Sequence, residues 1–179
     1  MNISNELQGF IEKNINLIEQ DTKESWETVY SKLSDEQRGE LTQVMLEIGI
    51  DPAEKLGYIP TFYLFHSPIK TYKIPDNVES IRDAAFFNCL SLTSIEIPDS
   101  VTSIGSSAFY YCTSLTSIVL GNSVESIGSH AFFYCDSLTE IKYLGTKKDA
   151  ITKLNVQKKL WRRNSAISKI ICTDGVIEL

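Results

Sequence analysis

One 23-residue unit occurs three times without a gap: IPDNVESIRDAAFFNCLSLTSIE at 74–96, IPDSVTSIGSSAFYYCTSLTSIV at 97–119 and LGNSVESIGSHAFFYCDSLTEIK at 120–142. Val78, Val101 and Val124 fall in register, as do Ile81, Ile104 and Ile127 and then Phe86, Phe109 and Phe132. The same holds for Ala85, Ala108 and Ala131, for Cys89, Cys112 and Cys135, for Leu92, Leu115 and Leu138, and for Ile95, Ile118 and Ile141. A fixed period of this length marks a stacked repeat and outranks other structural readings. A unit this short cannot cover its own apolar face, so units must stack and bury one continuous core.

Within a unit, SLTSIEI alternates: Leu92, Ile95 and Ile97 point inward while Ser94 and Glu96 point outward. Pro98-Asp99 breaks the strand, SVTSIG gives a second extended run, and SSAFYYC reads as one helical turn burying Ala108 and Phe109. The expected fold is an α+β repeat protein: a right-handed solenoid of short strands and helical turns behind a small α-helical N-terminal bundle.

The unit closely resembles the BspA-type leucine-rich repeat family, for which IPxSVTSIGxxAFxxCxSLTSI is nearly a consensus. The resemblance implies a leucine-rich-repeat solenoid over 58–179, and fainter units extend it. Residues 58–73 read as a degenerate first repeat, with Ile69 and Tyr72 at the Leu and Ile places. Residues 143–179 read as a C-terminal cap, in which Ile167 and Ile170 take those places three residues late. Between them a longer basic helix is expected, with Ile151, Leu154 and Leu160 on its buried side and Trp161 as a lid over the last layer. Repeats of this kind are common in bacteria, protists and large phages, frequently on cell surfaces, and the resemblance implies a binding role.

Residues 1–57 follow a helical period, as an N-terminal cap on the stack or a small separate domain. Leu7, Phe10, Ile11, Ile15 and Ile18 share one face. Asp21 with Glu24 reads as a capping box before Trp26, Val29, Tyr30 and Leu33, and Ser34 with Gln37 as another before Leu41, Val44, Met45 and Ile48. Gly49 is placed as the stop, and Asp51-Pro52 starts a last short helix ending near Gly57.

The net charge of −6 is unevenly spread: residues 1–57 hold twelve acidic and five basic side chains, whereas 142–163 hold eight basic side chains and only Asp149. Overall acidity argues against bulk nucleic-acid binding; the alternative, phosphate contact through the basic segment, rests on Lys158, Lys159, Arg162 and Arg163. The N-terminus has no unbroken apolar run, which gives an expectation of a cytoplasmic protein, extracellular only if a signal peptide was removed. No stretch is long and apolar enough for membrane insertion.

Chemistry is sparse. Zinc sites want closely paired ligands, and the three cysteines stand one per unit, so they are read as buried thiols lining a turn. His66 and His130 have no partner motif, and no phosphate loop or nucleophile elbow occurs. A non-enzymatic protein without cofactor or metal is therefore expected.

Two surfaces are candidates for binding a protein partner. The strand ladder carries Ser94, Ser117 and Glu140 in one column and Glu96, Val119 and Lys142 in the next. The turns carry Phe87, Tyr110 and Phe133, then Asn88, Tyr111 and Tyr134, where family units often have a small residue or Gly. The expected function is a non-catalytic protein–protein interaction module. An inhibitor of a host macromolecule, such as a phage-encoded anti-defence (anti-CRISPR-like) protein, and a bacterial surface adhesin are the alternatives.

Overall fold

Four helices open the chain in the computed structural model, which describes residues 3–154, 160–163 and 165–179. They are α1 (Asn5–Gln20), α2 (Lys23–Ser31), α3 (Asp35–Glu47) and α4 (Pro52–Leu56). Each starts on a side chain, Ser4, Thr22, Ser34 or Asp51, that accepts a backbone amide of the first turn, satisfying donors the helix itself leaves open. Ser34 and Gln37 form the expected box. Asp21 and Glu24 do not: Thr22 and Ser25 make that box. Asp21 instead ends α1 in a left-handed conformation, where its carboxylate accepts from Trp26 Nε1 at 2.8 Å.

The apolar faces hold in part. Trp26, Val29, Tyr30, Leu33, Leu41 and Met45 are buried as expected. In α1, Leu7 and Ile18 are buried, Phe10 and Ile11 half-buried, and Ile15 exposed. The helix leaves ideal geometry at Asn14 (φ −115°), whose amide donates to the Phe10 carbonyl at 2.9 Å and whose oxygen accepts from Lys32 Nζ at 3.3 Å. A polar side chain thus takes the inward place, and Ile15 turns out. Ile48 is also exposed, because it is already the cap residue before Gly49 (φ 83°).

Ten short strands follow among the described residues: β1 (Tyr58–Ile59), β2 (Thr71–Lys73), β3 (Ser80–Ile81), β4 (Ser94–Ile97), β5 (Ser103–Ile104), β6 (Ser117–Leu120), β7 (Ser126–Ile127), β8 (Glu140–Tyr143), β9 (Lys169–Cys172) and β10 (Gly175–Glu178). They form two sheets, β1-β3-β5-β7 and β10-β9-β8-β6-β4-β2, parallel throughout except for the β9–β10 hairpin. Four layers result, each giving one strand to each sheet. Register follows the sequence period: Ile95 pairs with Ile118, and Ile81 with Ile104. The first layer conforms, with Tyr72 opposite Ile95 and Ile59 opposite Ile81. Ile170 meets Ile141 at the other end.

The segment expected as a helical turn is not helical. In every layer it holds two residues with φ between 54° and 60°: Phe62 and His66, Ala84 and Asn88, Ser107 and Tyr111, His130 and Tyr134. These reversals aim amides at the next layer instead of along a helix axis. Phe86 N–H donates to the Ala108 carbonyl at 2.7 Å and Phe109 N–H to the Ala131 carbonyl at 2.8 Å. The turns thereby form a third wall, bonded layer to layer as the sheets are.

Inside, Phe86, Phe109 and Phe132 stack with ring centroids 4.9 and 5.3 Å apart. Trp161 closes this column edge-on, 6.0 Å from Phe132, and its carbonyl accepts the Phe132 N–H. It is the lid expected. At the opposite end Tyr72, Tyr63 and Tyr30 carry the aromatic line into the helices, so helices and layers share one core. The C-terminal helix α5 (Lys147–Lys153) is short. Ala150 and Leu154 are its buried contacts, while Ile151 and Leu160, expected inside, are exposed. Within α5 the buried side is Ala150 with the capping Leu154, which leaves the adjacent Ile151 outside; the part of the longer helix expected over 155–159 lies outside the described residues.

Candidate interaction face

The outer face of the larger sheet is built by strand alternation. In β4, Ile95 and Ile97 are buried while Glu96 is exposed and Ser94 half-exposed. Parallel register repeats that choice in neighbouring layers, so outward side chains stand in columns roughly 4.8 Å apart per layer. One column runs Lys73, Glu96, Val119, Lys142, Ile171. Beside it stand Thr71, Ser94 and Ser117, then Glu140 paired with Lys169. Glu140 is held by the Lys169 ammonium at 2.9 Å, which pushes the lysine's pKa up. A groove of about 440 Å³ crosses β2, β4 and β6, lined by Lys73, Asp76, Ser94, Glu96, Pro98 and Val119 among others. All six expected residues of this face, Ser94, Glu96, Ser117, Val119, Glu140 and Lys142, share it. The sequence pattern did not single out Lys73, Asp76 or Ile171, which depend on pairing with the atypical first and last layers.

The turn wall has a different character. Phe87, Tyr110 and Phe133 stack almost parallel, 4.9 and 5.0 Å apart and tilted by 2° and 11°. Their faces cover one another, so they are half-buried and offer edges rather than a stacking platform. Tyr111 and Tyr134 lie 4.6 Å apart in the outer column, and Tyr111 is exposed. That column coincides with the second left-handed residue of each turn. The conformation favours Gly or Asn, so Asn88 suits its place and the tyrosines are strained there.

The cysteines are free and buried, and Sγ of Cys89, Cys112 and Cys135 donates to the Leu64, Phe86 and Phe109 carbonyls at 2.6, 3.1 and 3.0 Å. Burial pushes the Cys135 thiol up to about 12. These are small side chains that satisfy carbonyls of the preceding layer. Of the basic cluster, Lys158 and Lys159 lie outside the described residues. Arg162 is half-buried, donating weakly to the Ile167 carbonyl at 3.4 Å, with its pKa lowered by burial; Arg163 is exposed. Several carboxylates of the acidic segment hold the fold together: Asp21 binds Trp26 and Lys55, Asp51 binds Tyr63 and Tyr72, and Glu40 binds Ser4. Among the described residues no group of three potential metal ligands occurs and no helix is long and apolar enough to cross a membrane.

A parallel stack with one strand per layer on each sheet and an outward-facing ladder defines a β-solenoid repeat protein. The family model for the BspA type leucine rich repeat region matches in six copies over residues 54–176, and the chain belongs to that family. The match begins inside α4, in keeping with Leu56 and Ile59 being buried where the layered core starts. Among solved structures, the chain is similar to a leucine-rich repeat protein of T. pallidum, at 29% identity over 51% of this chain and 48% of that one, with a TM-score of 0.42. The chain thus spans about half the length of that protein. No curated protein matches it. Leucine-rich repeats commonly bind proteins and are generally non-enzymatic.

Proposed function

We propose that the chain is a non-catalytic protein-binding module that engages its partner through the outer face of the larger sheet, with helices α1–α4 serving as a cap. The observation that supports this reading is the column Lys73, Glu96, Val119, Lys142, Ile171. It sets opposite charges and apolar side chains at fixed intervals on a rigid sheet, beside an open groove. A preorganised surface of this kind binds with little ordering cost, and mixed charge around apolar contacts is how interfaces select partners. The parallel ring stack of the turn wall is the weaker candidate, since its faces are already covered.

The test is affinity capture from the native cells with two variants. Glu96→Ala/Val119→Ala/Lys142→Ala alters the sheet face alone. Tyr111→Asn/Tyr134→Asn alters the turn wall while suiting its backbone, as Asn88 does. One protein bound by the parent and by the Asn variant, but lost with the triple Ala variant, supports the reading. A partner retained by the triple Ala variant and lost with the Asn variant moves the site to the turn wall.

A further inference from the structure

The seam between the helices and the first layer holds a groove of about 350 Å³ that shares no lining residue with the groove on the larger sheet. One wall is α3, where Glu36, Glu40 and Val44 recur every four residues and so form one stripe. The other is the turn of the first layer, with Phe65, His66 and Pro68. The two walls are locked together. Gly39 lets α3 settle onto the turn, since a Cβ there would overlap the Phe65 carbonyl. The buried Ser67 hydroxyl donates to Gln43 Oε1 at 2.7 Å. A groove between fixed walls is filled at little ordering cost.

Its floor is apolar and its rim is acidic. Ile3 and Val44 line it half-buried, and the Phe65 ring packs on Phe62, Phe87 and His66 at 5.3, 5.8 and 4.0 Å. Two carboxylates, Glu36 and Glu40, line the groove, and no lysine or arginine does. Arg38 turns away along α3, where its Nε donates to the Tyr30 carbonyl at 3.0 Å. Both carboxylates also serve the fold, Glu36 in the first turn of α3 and Glu40 by accepting from Ser4. Neither duty cancels the charge, and among the described residues neither carboxylate has an ion-pair partner. Four residues apart on one helix they repel each other, and a cation between them relieves that repulsion. The acidic excess of residues 1–57 draws in a basic segment and repels nucleic acid or an anionic membrane.

We propose that this groove docks a basic segment of a partner protein, seating one large apolar side chain against Val44 and Phe65 and a lysine or arginine beside Glu36 and Glu40. The volume is at the small end of ligand pockets and suits a single anchoring side chain of the kind that dominates interfaces. The helices then carry a contact of their own besides capping the stack.

Selection from a random-peptide phage library on the immobilised full chain tests this. Enriched peptides should combine Trp, Phe or Leu with Lys or Arg. Synthetic copies should bind the parent chain in a fluorescence titration, more weakly as salt rises from about 0.05 M to about 0.5 M. Glu36→Lys should weaken them roughly tenfold, and Val44→Lys should abolish binding. Glu36 is exposed, so its variant still decides the matter if circular dichroism shows Val44→Lys unfolded. The sheet-face variant Glu96→Ala/Val119→Ala/Lys142→Ala should bind the peptides as the parent does, so this proposal and the sheet-face reading fail separately. A selection without a basic and apolar consensus overturns the proposal. So do peptides that Glu36→Lys retains undiminished, and peptides lost only with the sheet-face variant. A parent chain that dimerises through the groove, and is made monomeric by Glu36→Lys, overturns it in favour of a second copy.

Discussion

Asp51 joins the helices to the first layer. Its carboxylate caps α4 by accepting the Ala53 N–H at 3.0 Å, and it accepts the hydroxyls of Tyr63 and of Tyr72, the latter at 2.7 Å. Tyr63 is fully buried and Tyr72 nearly so. Asp51→Ala removes a helix cap, worth about 1 kcal/mol, and orphans two buried hydroxyls, at about 1–2 kcal/mol each. A loss of about 3–5 kcal/mol follows, or a fall of about 10 °C in Tm for a chain of this size. Urea unfolding followed by circular dichroism gives the number. Asp51→Ala/Tyr72→Phe should be more stable than Asp51→Ala alone, because the Tyr72 hydroxyl is then no longer left without an acceptor while the Tyr63 hydroxyl still accepts the buried Ala53 N–H at 3.1 Å. A loss below about 1 kcal/mol, or a double variant as unstable as the single one, would refute the reasoning.

Gly105→Ala should cost about 1–3 kcal/mol in the same assay, since the new Cβ would sit 2.5 Å from Asp83 N and 2.6 Å from Arg82 C. Gly9→Ala should instead stabilise by about 0.5–1 kcal/mol, as nothing lies within 4 Å of its new Cβ in α1. Burial raises the Cys135 thiol to about 12, so the folded state holds that proton more tightly than the unfolded one. The corresponding stability is complete below the unfolded thiol's value of about 8.5 and is lost as pH rises toward 12; iodoacetamide at neutral pH should label the cysteines only after unfolding. Burial opposes ionisation of Asp21, but the Trp26 indole N–H and Lys55 outweigh it and hold its carboxyl below the ordinary 3.8. Its contribution is present above that value and lost as pH falls, so Asp21→Asn should flatten the acid side of a stability–pH curve.

The core was legible because every inward place recurs at a fixed step, and in-register pairing makes neighbours of identical residues. Val101, Ile104, Phe109, Leu115 and Ile118 are all buried as the period requires. The turns were misjudged because apolar spacing does not report backbone sign. SSAFYYC has the composition of a helical turn, yet Ser107 and Tyr111 are left-handed to serve bonds between layers. Asn88 at the equivalent place was the available signal. Ile15, Ile151 and Leu160 fitted a helical face in sequence and lie outside: the kink at Asn14 turns Ile15 out, and α5 buries Ala150 in the place given to Ile151. The candidate face was legible in its middle, from Ser94 to Lys142, where strands repeat. Its rims at Lys73 and Ile171 were not, since their layers diverge in sequence and only pairing brings them into line.

Strands, turns and threonine side chains alike bond one layer to the next at an offset near 23 residues, as in Thr93 Oγ1 to the Lys70 carbonyl and Thr116 Oγ1 to the Thr93 carbonyl. A layer therefore touches its neighbours through the same atoms wherever it stands. In-frame duplication of the segment coding for 97–119 would insert a whole storey with its joints already cut to fit. Length in this molecule is a modular quantity: a gene can change the reach of the structure in single steps without redesigning either end.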